Sequence, residues 1–180
     1  MRLPEISKTI QVPDDVTLSL VNKKVTVKGI KGSLTRDFSY ATVAIEGEGK
    51  EVRISAKWPR KKEAALVGTI YSHIQNMIIG VTKGFNYKLK IVFSHFPISV
   101  KLQGKSILIE NFTGERRPRL VKILGDVKVK IDPEDIILSG INLEEVSQSA
   151  ANIEQLTRVR GKDPRVFLDG IYVYERNEGM

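Results

Sequence analysis

Three clusters of basic side chains are the strongest candidates for a binding site in this 180-residue chain. The cations of the first cluster surround a tryptophan and are Lys57, Arg60, Lys61 and Lys62. The second cluster is formed by Arg116, Arg117 and Arg119, and the third by Arg158, Arg160, Lys162 and Arg165. Such side chains neutralise phosphate and release its condensed counterions, and Arg adds planar, bidentate contacts. The clusters therefore predict a polyanionic partner, with RNA as the first candidate.

Each cluster taken alone also fits an ordinary solvated surface, and the cations of the third cluster lie near a helix C-terminus, where they are favourable without any ligand. Three clusters in one small chain favour RNA binding over that alternative. Their spacing does not resemble a recognition helix that reads base edges. We therefore expect contacts to the backbone and shape of a folded RNA.

The overall composition supports a basic, folded protein. Lys plus Arg is 29 and Asp plus Glu is 21, which gives a net charge of +8. The whole excess lies in residues 1–90, whereas residues 91–180 carry 13 cations and 13 anions. Cysteine is absent, which excludes a disulfide scaffold, a thiolate metal site and a cysteine nucleophile. With no apolar run of about 18 residues and no secretory signal pattern, we expect a cytosolic protein with no membrane partner.

Signals for an enzyme are few, and no cofactor is expected. Asp132 and Asp135 are the candidate pair of an alternative function, a free-standing RNA-processing enzyme that uses carboxylates and a metal. Pro133 between them favours a solvated turn instead. His73 and His95 are interpreted as packing residues, the first in a helix and the second in an apolar strand. A third hypothesis, a protein-interaction scaffold, predicts partner binding that survives loss of the third cluster.

Short strands and two helices must position these side chains. Alternating apolar and polar residues predict an antiparallel meander from Val16 to Ser55. Within it, the GxxG motif Gly29–Gly32 is interpreted as a hairpin turn rather than a KH-type loop, because it joins two strands. An apolar stripe then predicts a helix, with Pro59 as its first residue and Gly84 after its end.

The meander repeats at a constant offset of 82 residues. Apolar positions of the first copy match apolar positions of the second, and Gly32 matches Gly114. A second helix is predicted with Asn142 as N-cap, Glu145 closing a capping box and Gly161 at the C′ position. The fold class expected is α+β, with two tandem duplicated domains, each a mostly antiparallel twisted β-sheet packed with one main α-helix. We expect the domains to span residues 1–84 and 85–180, with a connecting strand near 85–97.

The C-terminal segment Gln155–Val173 carries a specific resemblance. Its sequence, QLTRVRGKDPRVFLDGIYV, resembles the signature of the ribosomal protein six family of the large subunit, in the archaeal and eukaryotic branch. The hairpin that contains Gly29–Gly32 resembles the opening hairpin of the same family. The match covers essentially the whole chain, although the mixed-charge end Tyr174–Met180 differs from the Lys/Gly-rich tail of the bacterial branch.

The resemblance implies a structural protein of the cytoplasmic ribosome, without catalysis, that binds large-subunit rRNA. It implies a place near the sarcin–ricin loop and the stalk base, close to neighbouring ribosomal proteins and to the site where translation factors bind. Carried over to matching positions, the RNA-contact candidates are Lys162, Arg165, Tyr172 and Arg176. Phe167, Ile171 and Val173 are expected to alternate as core residues of a final strand, with Gly170 at a turn or bulge.

Overall fold

The chain divides between Lys83 and Gly84 into two compact units in a computed structural model that describes residues 4–48, 50–163 and 165–180. Unit 1 is Met1–Lys83 and unit 2 is Gly84–Met180. Each unit has its own hydrophobic core, built from antiparallel strands and one main helix. The predicted α+β fold class is confirmed.

Unit 1 is built from two three-stranded sheets and one long helix. Its elements are β1 (Glu5–Gln11), β2 (Thr17–Val21), β3 (Lys24–Gly29), β4 (Gly32–Asp37), β5 (Ala44–Glu48), β6 (Glu51–Lys57) and α1 (Lys61–Thr82). One sheet has the strand order β1-β6-β5 and the other β2-β3-β4, and all pairs are antiparallel. The alternation that predicted β3 has a direct cause, since Val25 and Val27 are fully buried while Lys24 and Lys28 face outward.

The helix α1 supplies one wall of the core of unit 1. Its apolar stripe, including Val67, Ile70 and Ile74, is fully buried, and the helix packs against β1, β3 and β6. By length and composition alone α1 could also cross a membrane, but burial in this core accounts for its apolar face. The prediction that Pro59 begins the helix was wrong, because Arg60 is the N-cap. The Arg60 N–H donates to Glu63 Oε2 at 2.7 Å and so fixes the first turn.

The Gly29–Gly32 motif is a hairpin turn, as predicted, and it packs on the end of α1. Gly29 pairs with Gly32, and the Lys31 N–H donates to the Val81 carbonyl at 3.0 Å. A Cβ at Gly29 would lie 2.8 Å from that same carbonyl oxygen, so only glycine permits this approach.

Unit 2 repeats the plan and adds one strand. Its elements are β7 (Phe85–Val92), β8 (Ser99–Gln103), β9 (Ser106–Glu110), a 3₁₀ turn (Phe112–Gly114), β10 (Arg119–Lys122), β11 (Lys128–Ile131), β12 (Asp135–Gly140), α2 (Leu143–Leu156) and β13 (Gly170–Glu178). The sheet β8-β9-β10 corresponds to β2-β3-β4, and β11-β12-β7 corresponds to β5-β6-β1. The added strand β13 pairs with the free side of β7.

Equivalent positions of the two copies share the same burial and the same kind of hydrogen bond. Ile107 and Ile109 are fully buried, as are their counterparts Val25 and Val27. Lys23 Nζ donates to the Ala41 carbonyl at 2.8 Å, and its counterpart Lys105 donates to the Gly125 carbonyl at 3.2 Å. The register of the predicted duplication is therefore preserved in three dimensions.

The limits of α2 differ from the expectation. Asn142 is the N-cap, and its side chain accepts from the Glu144 N–H at 3.1 Å. Glu145 closes no capping box here, because its carboxylate accepts from the Asp126 N–H at 3.4 Å. The helix ends at Leu156 rather than next to Gly161, because the Thr157 hydroxyl donates to the Ile153 carbonyl and accepts the Ile171 N–H. Tertiary contacts therefore override both local signals.

Three expectations near β13 were wrong. His95 lies in the bend between β7 and β8, not in a strand. Phe167 precedes β13 and stacks on that histidine, so only Ile171 and Val173 face the core. Gly170 is at neither a turn nor a bulge, because it is the first residue of β13 and the register shift falls between Val173 and Glu175.

Candidate RNA-binding surface

The first basic cluster lies at the turn between β6 and α1 in unit 1. Lys57 is the last residue of β6, Arg60 caps α1, and Lys61 and Lys62 begin it. All four side chains are exposed, and none forms an ion pair with any side chain that the structure describes. Because cations at a helix N-terminus oppose the helix dipole, this arrangement is stable only at a local cost that a bound anion would remove.

The second cluster divides into two kinds of arginine. Arg116 and Arg117 are exposed in the loop before β10. Arg119 is instead held inside unit 2, where its guanidinium pairs with Glu115, donates to the Leu156 carbonyl and lies 4.2 Å from the centre of the Phe112 ring. The hydrogen bond from Arg119 lowers the pKa of the Glu115 carboxyl. The geometry thus gives Arg119 a structural role that its sequence neighbours lack.

The third cluster lies on the segment that joins α2 to β13, residues 157–169, which we call the basic loop. Its cations Arg158, Arg160, Lys162 and Arg165 are all exposed. The loop has no regular secondary structure among its described residues, so side-chain contacts must fix its path. Within the loop the Asp163 carboxylate accepts from the Arg165 N–H at 3.0 Å, and further contacts fix its two ends.

Asp169 anchors the end of the basic loop. Its side chain is 1% exposed and accepts from the Ser94 N–H at 2.8 Å, from the His95 N–H at 3.4 Å and from His95 Nδ1 at 3.2 Å. Burial alone would raise the pKa of Asp169, but these hydrogen bonds outweigh it and hold the pKa below its usual value. A buried carboxylate thus ties the loop to the β7–β8 bend.

A stack of rings continues from that anchor towards solvent. The His95 and Phe167 rings stack with their centres 4.5 Å apart, and Lys162 Nζ lies 4.5 Å from the centre of the Phe167 ring. The other end of the loop is fixed by Thr157, which is buried and bonded to both α2 and β13. The cations of the basic loop are therefore presented from a preorganised backbone, which lowers the entropic cost of binding a ligand.

The two predicted contact residues of β13 lie on its exposed positions. The Tyr172 hydroxyl donates to the Leu168 carbonyl at 3.3 Å, which folds the ring back over Gly170. A Cβ at Gly170 would lie 2.7 Å from that ring, so glycine is required for the fold-back. The Arg176 guanidinium lies 5.8 Å from the centre of the Tyr87 ring.

Two grooves of unit 2 flank the end of α2. One, of about 590 Å³, is lined by Arg119, Lys122 and Arg160 together with Gln155 and apolar side chains. The other, of about 420 Å³, is lined by Arg158, Phe167 and Tyr172, also with Gln155. The structure therefore brings predicted residues of the second and third clusters and of β13 to one end of one helix. The first cluster belongs to unit 1.

The carboxylates of the alternative enzyme hypothesis are at the β11–β12 turn. Asp132 pairs with Lys130 at 3.2 Å, and Asp135 lies 3.6 Å from Lys90 Nζ. The hydrogen bond to Glu134 raises the pKa of Lys90 and lowers the pKa of Glu134. Residues 4–48, 50–163 and 165–180 contain no cluster of three or more acidic, His or Cys side chains that could hold a metal.

Comparison with known proteins decides the family. The model of the family described as ribosomal protein L6 matches residues 12–84 and again residues 96–170. The chain belongs to the ribosomal protein L6 family. The two matches correspond to the two repeats of the L6 chain described above.

Archaeal relatives match this L6 chain over nearly its whole length. A protein of Methanosarcina mazei named large ribosomal subunit protein uL6 is 48% identical over 172 residues, covering 96% of this chain and 98% of the relative. The protein of the same name from Desulfurococcus amylolyticus is 48% identical over 182 residues, covering 99% of each. That of Ignicoccus hospitalis is 49% identical over 172 residues, covering 93% and 92%. The predicted family is confirmed, and L6 is a family of structural ribosomal proteins rather than enzymes.

Sequence reasoning missed the residues that hold the L6 basic loop in place. Asp169 and Phe167 were part of the matched motif, but their partner His95 lies more than seventy residues earlier in the chain. The only signal in the sequence was Asp169 itself, next to Gly170 in an apolar segment. Which N–H groups its carboxylate accepts from becomes visible only in the fold.

Proposed function

We propose that this chain is a structural constituent of the large ribosomal subunit that binds large-subunit rRNA. The observation that carries the proposal is the basic loop, whose exposed cations are fixed by the Asp169 anchor and the His95–Phe167 stack. Membership of the L6 family supports the ribosomal setting. The ligand is a folded RNA, because the loop offers several cations on a rigid surface and no helix that enters a groove.

We place the protein, by its family resemblance, near the sarcin–ricin loop and the stalk base of the cytoplasmic ribosome. There it would support the region where translation factors bind, next to other large-subunit proteins. Its contact residues in unit 2 are the exposed cations of the basic loop, Arg116 and Arg117, with Tyr172 and Arg176 on β13. Arg119 contributes by holding β10 to the end of α2 rather than by a free charge.

Removal of two cations from the basic loop tests this proposal. The double variant Arg158→Ala/Arg160→Ala is expected to reduce the slope of log affinity for rRNA against log salt by about one to two units, since each lost phosphate contact removes roughly 0.7–0.9. The measurement is a filter-binding titration over a series of salt concentrations. A matched control, Lys101→Ala/Lys128→Ala, removes two exposed cations of unit 2 outside the clusters and is expected to keep the slope.

The setting is tested separately by fractionating ribosomes at rising salt and footprinting the rRNA. The protein is expected in the large-subunit fraction, with protections lost in the double variant. Recovery of the protein wholly outside ribosomes at moderate salt would refute the ribosomal role. An unchanged salt slope would show instead that Arg158 and Arg160 face solvent.

We also propose that units 1 and 2 are independent domains with a boundary near residue 84, as the repeat predicts. Each unit has a separate hydrophobic core and a helix that packs on its own strands. Units of this size fold alone when such a core is complete.

A further inference from the structure

We propose that the turn between β6 and α1 is a second RNA site, in which Trp58 stacks on an unpaired base while nearby cations hold the adjoining phosphates. This inference rests on the proposed RNA-binding function and extends it to unit 1. The sequence motif placed Trp58 among cations but assigned no task to its indole. The geometry of the turn gives it one.

The backbone of this turn is held on both sides of Trp58. Its N–H donates to the Pro4 carbonyl at 2.8 Å, which continues the β1–β6 pairing by one residue. Pro59 is buried directly after it, and the Arg60 N–H is bonded to Glu63. The indole is therefore carried on a fixed backbone rather than on a mobile loop.

Neither backbone conformation nor packing explains a tryptophan at this position. Trp58 has a φ of +50°, in the left-handed region that glycine adopts freely and other residues adopt at a cost. Its side chain is 67% exposed and belongs neither to the core of unit 1 nor to the partly buried apolar side chains packed on that core. Residues held in such strained backbone conformations cluster at functional sites, where the strain is part of the site.

The charges around the indole select the ligand. The neighbouring cations are Lys57, Arg60, Lys61 and Lys62, all exposed and without an ion pair to any described side chain. A protein partner would bury such lysines poorly, since lysine is depleted in the centre of protein interfaces. A single strand of RNA supplies both a flat base for the ring and phosphates for the cations, which is the usual mode of single-strand binding. A paired helix offers no free base face, so we expect preference for unpaired nucleotides.

Intrinsic fluorescence gives a direct test, because Trp58 is the only tryptophan in the chain. The full chain is titrated with oligoadenylate of about ten nucleotides, a length within the usual site size. Quenching of the fluorescence is expected with the single strand and little quenching with a duplex of the same length. Binding measured by anisotropy without quenching, or no binding of the single strand at all, would overturn the proposal.

Substitution separates stacking from charge and from folding. Trp58→Gly relieves the positive φ, so its melting temperature is expected to equal or exceed that of the wild type. It is expected to bind oligoadenylate about tenfold more weakly, while Trp58→Phe keeps part of the affinity. Equal affinity of Trp58→Gly and wild type would show that the ring does not stack.

Two further measurements distinguish this site from the basic loop and from a protein contact. Arg158→Ala/Arg160→Ala is expected to leave the oligoadenylate quenching unchanged, since these residues belong to unit 2; a normal rRNA salt slope in that variant would count against the proposed function but not against this site. Zero-length photocrosslinking in assembled subunits is expected to join Trp58 to RNA. Crosslinks to protein alone would refute the RNA site in favour of a protein-docking surface.

Discussion

The two units share a core plan and differ in the chain beyond each helix. In unit 1, α1 has 22 residues and the unit ends directly after it. In unit 2, α2 has 14 residues and is succeeded by the basic loop and β13. The unshared part of unit 2 carries most of its candidate RNA contacts, whereas unit 1 presents its cations before the helix. Duplication thus preserved the buried positions and left the segments around the helix ends free to acquire different surfaces.

This comparison also separates two ways of presenting charge. The basic loop of unit 2 has cations near a helix C-terminus, where the helix dipole favours them, and needs a buried anchor because it has no regular structure. The first cluster of unit 1 has cations at a helix N-terminus, where the dipole opposes them. Its turn is fixed by the backbone hydrogen bond from Trp58 to Pro4 and by the Glu63 carboxylate, whereas the basic loop is fixed by the buried Asp169 carboxylate and the His95–Phe167 stack.

The largest expected effect tests whether the two cores are equivalent. Ile109→Ala in unit 2 is expected to lower the free energy of unfolding of that unit by about 3–4 kcal/mol, because a fully buried side chain leaves a cavity. The counterpart Val27→Ala in unit 1 removes fewer atoms and is expected to cost about 2 kcal/mol. Hydrogen exchange measured by mass spectrometry reports each unit separately.

If the units are independent domains, each substitution speeds exchange only in its own unit. Faster exchange in both units after either change would show that they unfold together. Losses of the same size on substituting Thr26 and Leu108, the half-buried neighbours of these two positions, would contradict the repeat register rather than the domain boundary.

The next effect concerns the anchor that unit 1 lacks. Asp169→Ala is expected to destabilise unit 2 by about 2–3 kcal/mol, because it removes an acceptor for three donors, two of them backbone N–H groups. RNA binding at the basic loop is expected to weaken as well, while oligoadenylate quenching of Trp58 stays unchanged. Chemical denaturation followed by circular dichroism measures the first effect.

The pH dependence of that effect has a definite sign. The folded-state pKa of Asp169 is lowered, so its contribution is fully present above the unfolded pKa, about 3.9, and is lost as the pH falls through the folded value. The stability difference between wild type and Asp169→Ala is therefore expected to be constant near neutral pH and to shrink in acid. A difference that grows in acid would contradict the assignment of Asp169 as a stabilising carboxylate.

The smallest expected effects come from one glycine in each unit. Gly29→Ala is expected to cost about 1–2 kcal/mol, because the new Cβ meets the Val81 carbonyl of the helix backbone, which cannot move aside. Gly170→Ala is expected to cost about 1 kcal/mol or less, because its Cβ meets the Tyr172 ring, which can rotate away. Of these two variants, only Gly170→Ala is expected to weaken RNA binding. Equal losses of stability in thermal melts would show that the Tyr172 ring is as fixed as the α1 backbone.

The sequence was sufficient for most of the elements and for the repeat, because both depend on local periodicity, although β1 (Glu5–Gln11) lies before the predicted meander and was not predicted. The alternation around Val25 and Val27 and the stripe of α1 are direct consequences of one buried face. It was not sufficient for the end of α2. Gly161 carries a local stop signal and does adopt a positive φ, but the helix ends earlier, where Thr157 receives a hydrogen bond from β13. A hydrogen bond between two separate segments cannot be predicted from the local sequence pattern of either one.

The candidate RNA-binding surface was also predicted from the sequence only in part. The exposed cations could be identified from clustering alone, since charge in runs stays on the surface. Arg119 looked identical to Arg116 and Arg117 in sequence, yet its guanidinium is bonded within unit 2 because β10 runs past the end of α2. Trp58 was visible as a residue type, whereas its positive φ and its exposure required the fold.

The place of β13 in its sheet has a consequence for how the protein is made. β7 opens unit 2 in sequence, yet it is an inner strand whose two neighbours are β12 and β13. During translation the chain emerges from the amino end, so unit 1 has all its strands available while the later strands of unit 2 are still being synthesised. One edge of β7 therefore stays unpaired until β13 has been synthesised and has left the ribosome. Unit 2 is therefore the part of the nascent chain exposed longest to wrong pairings.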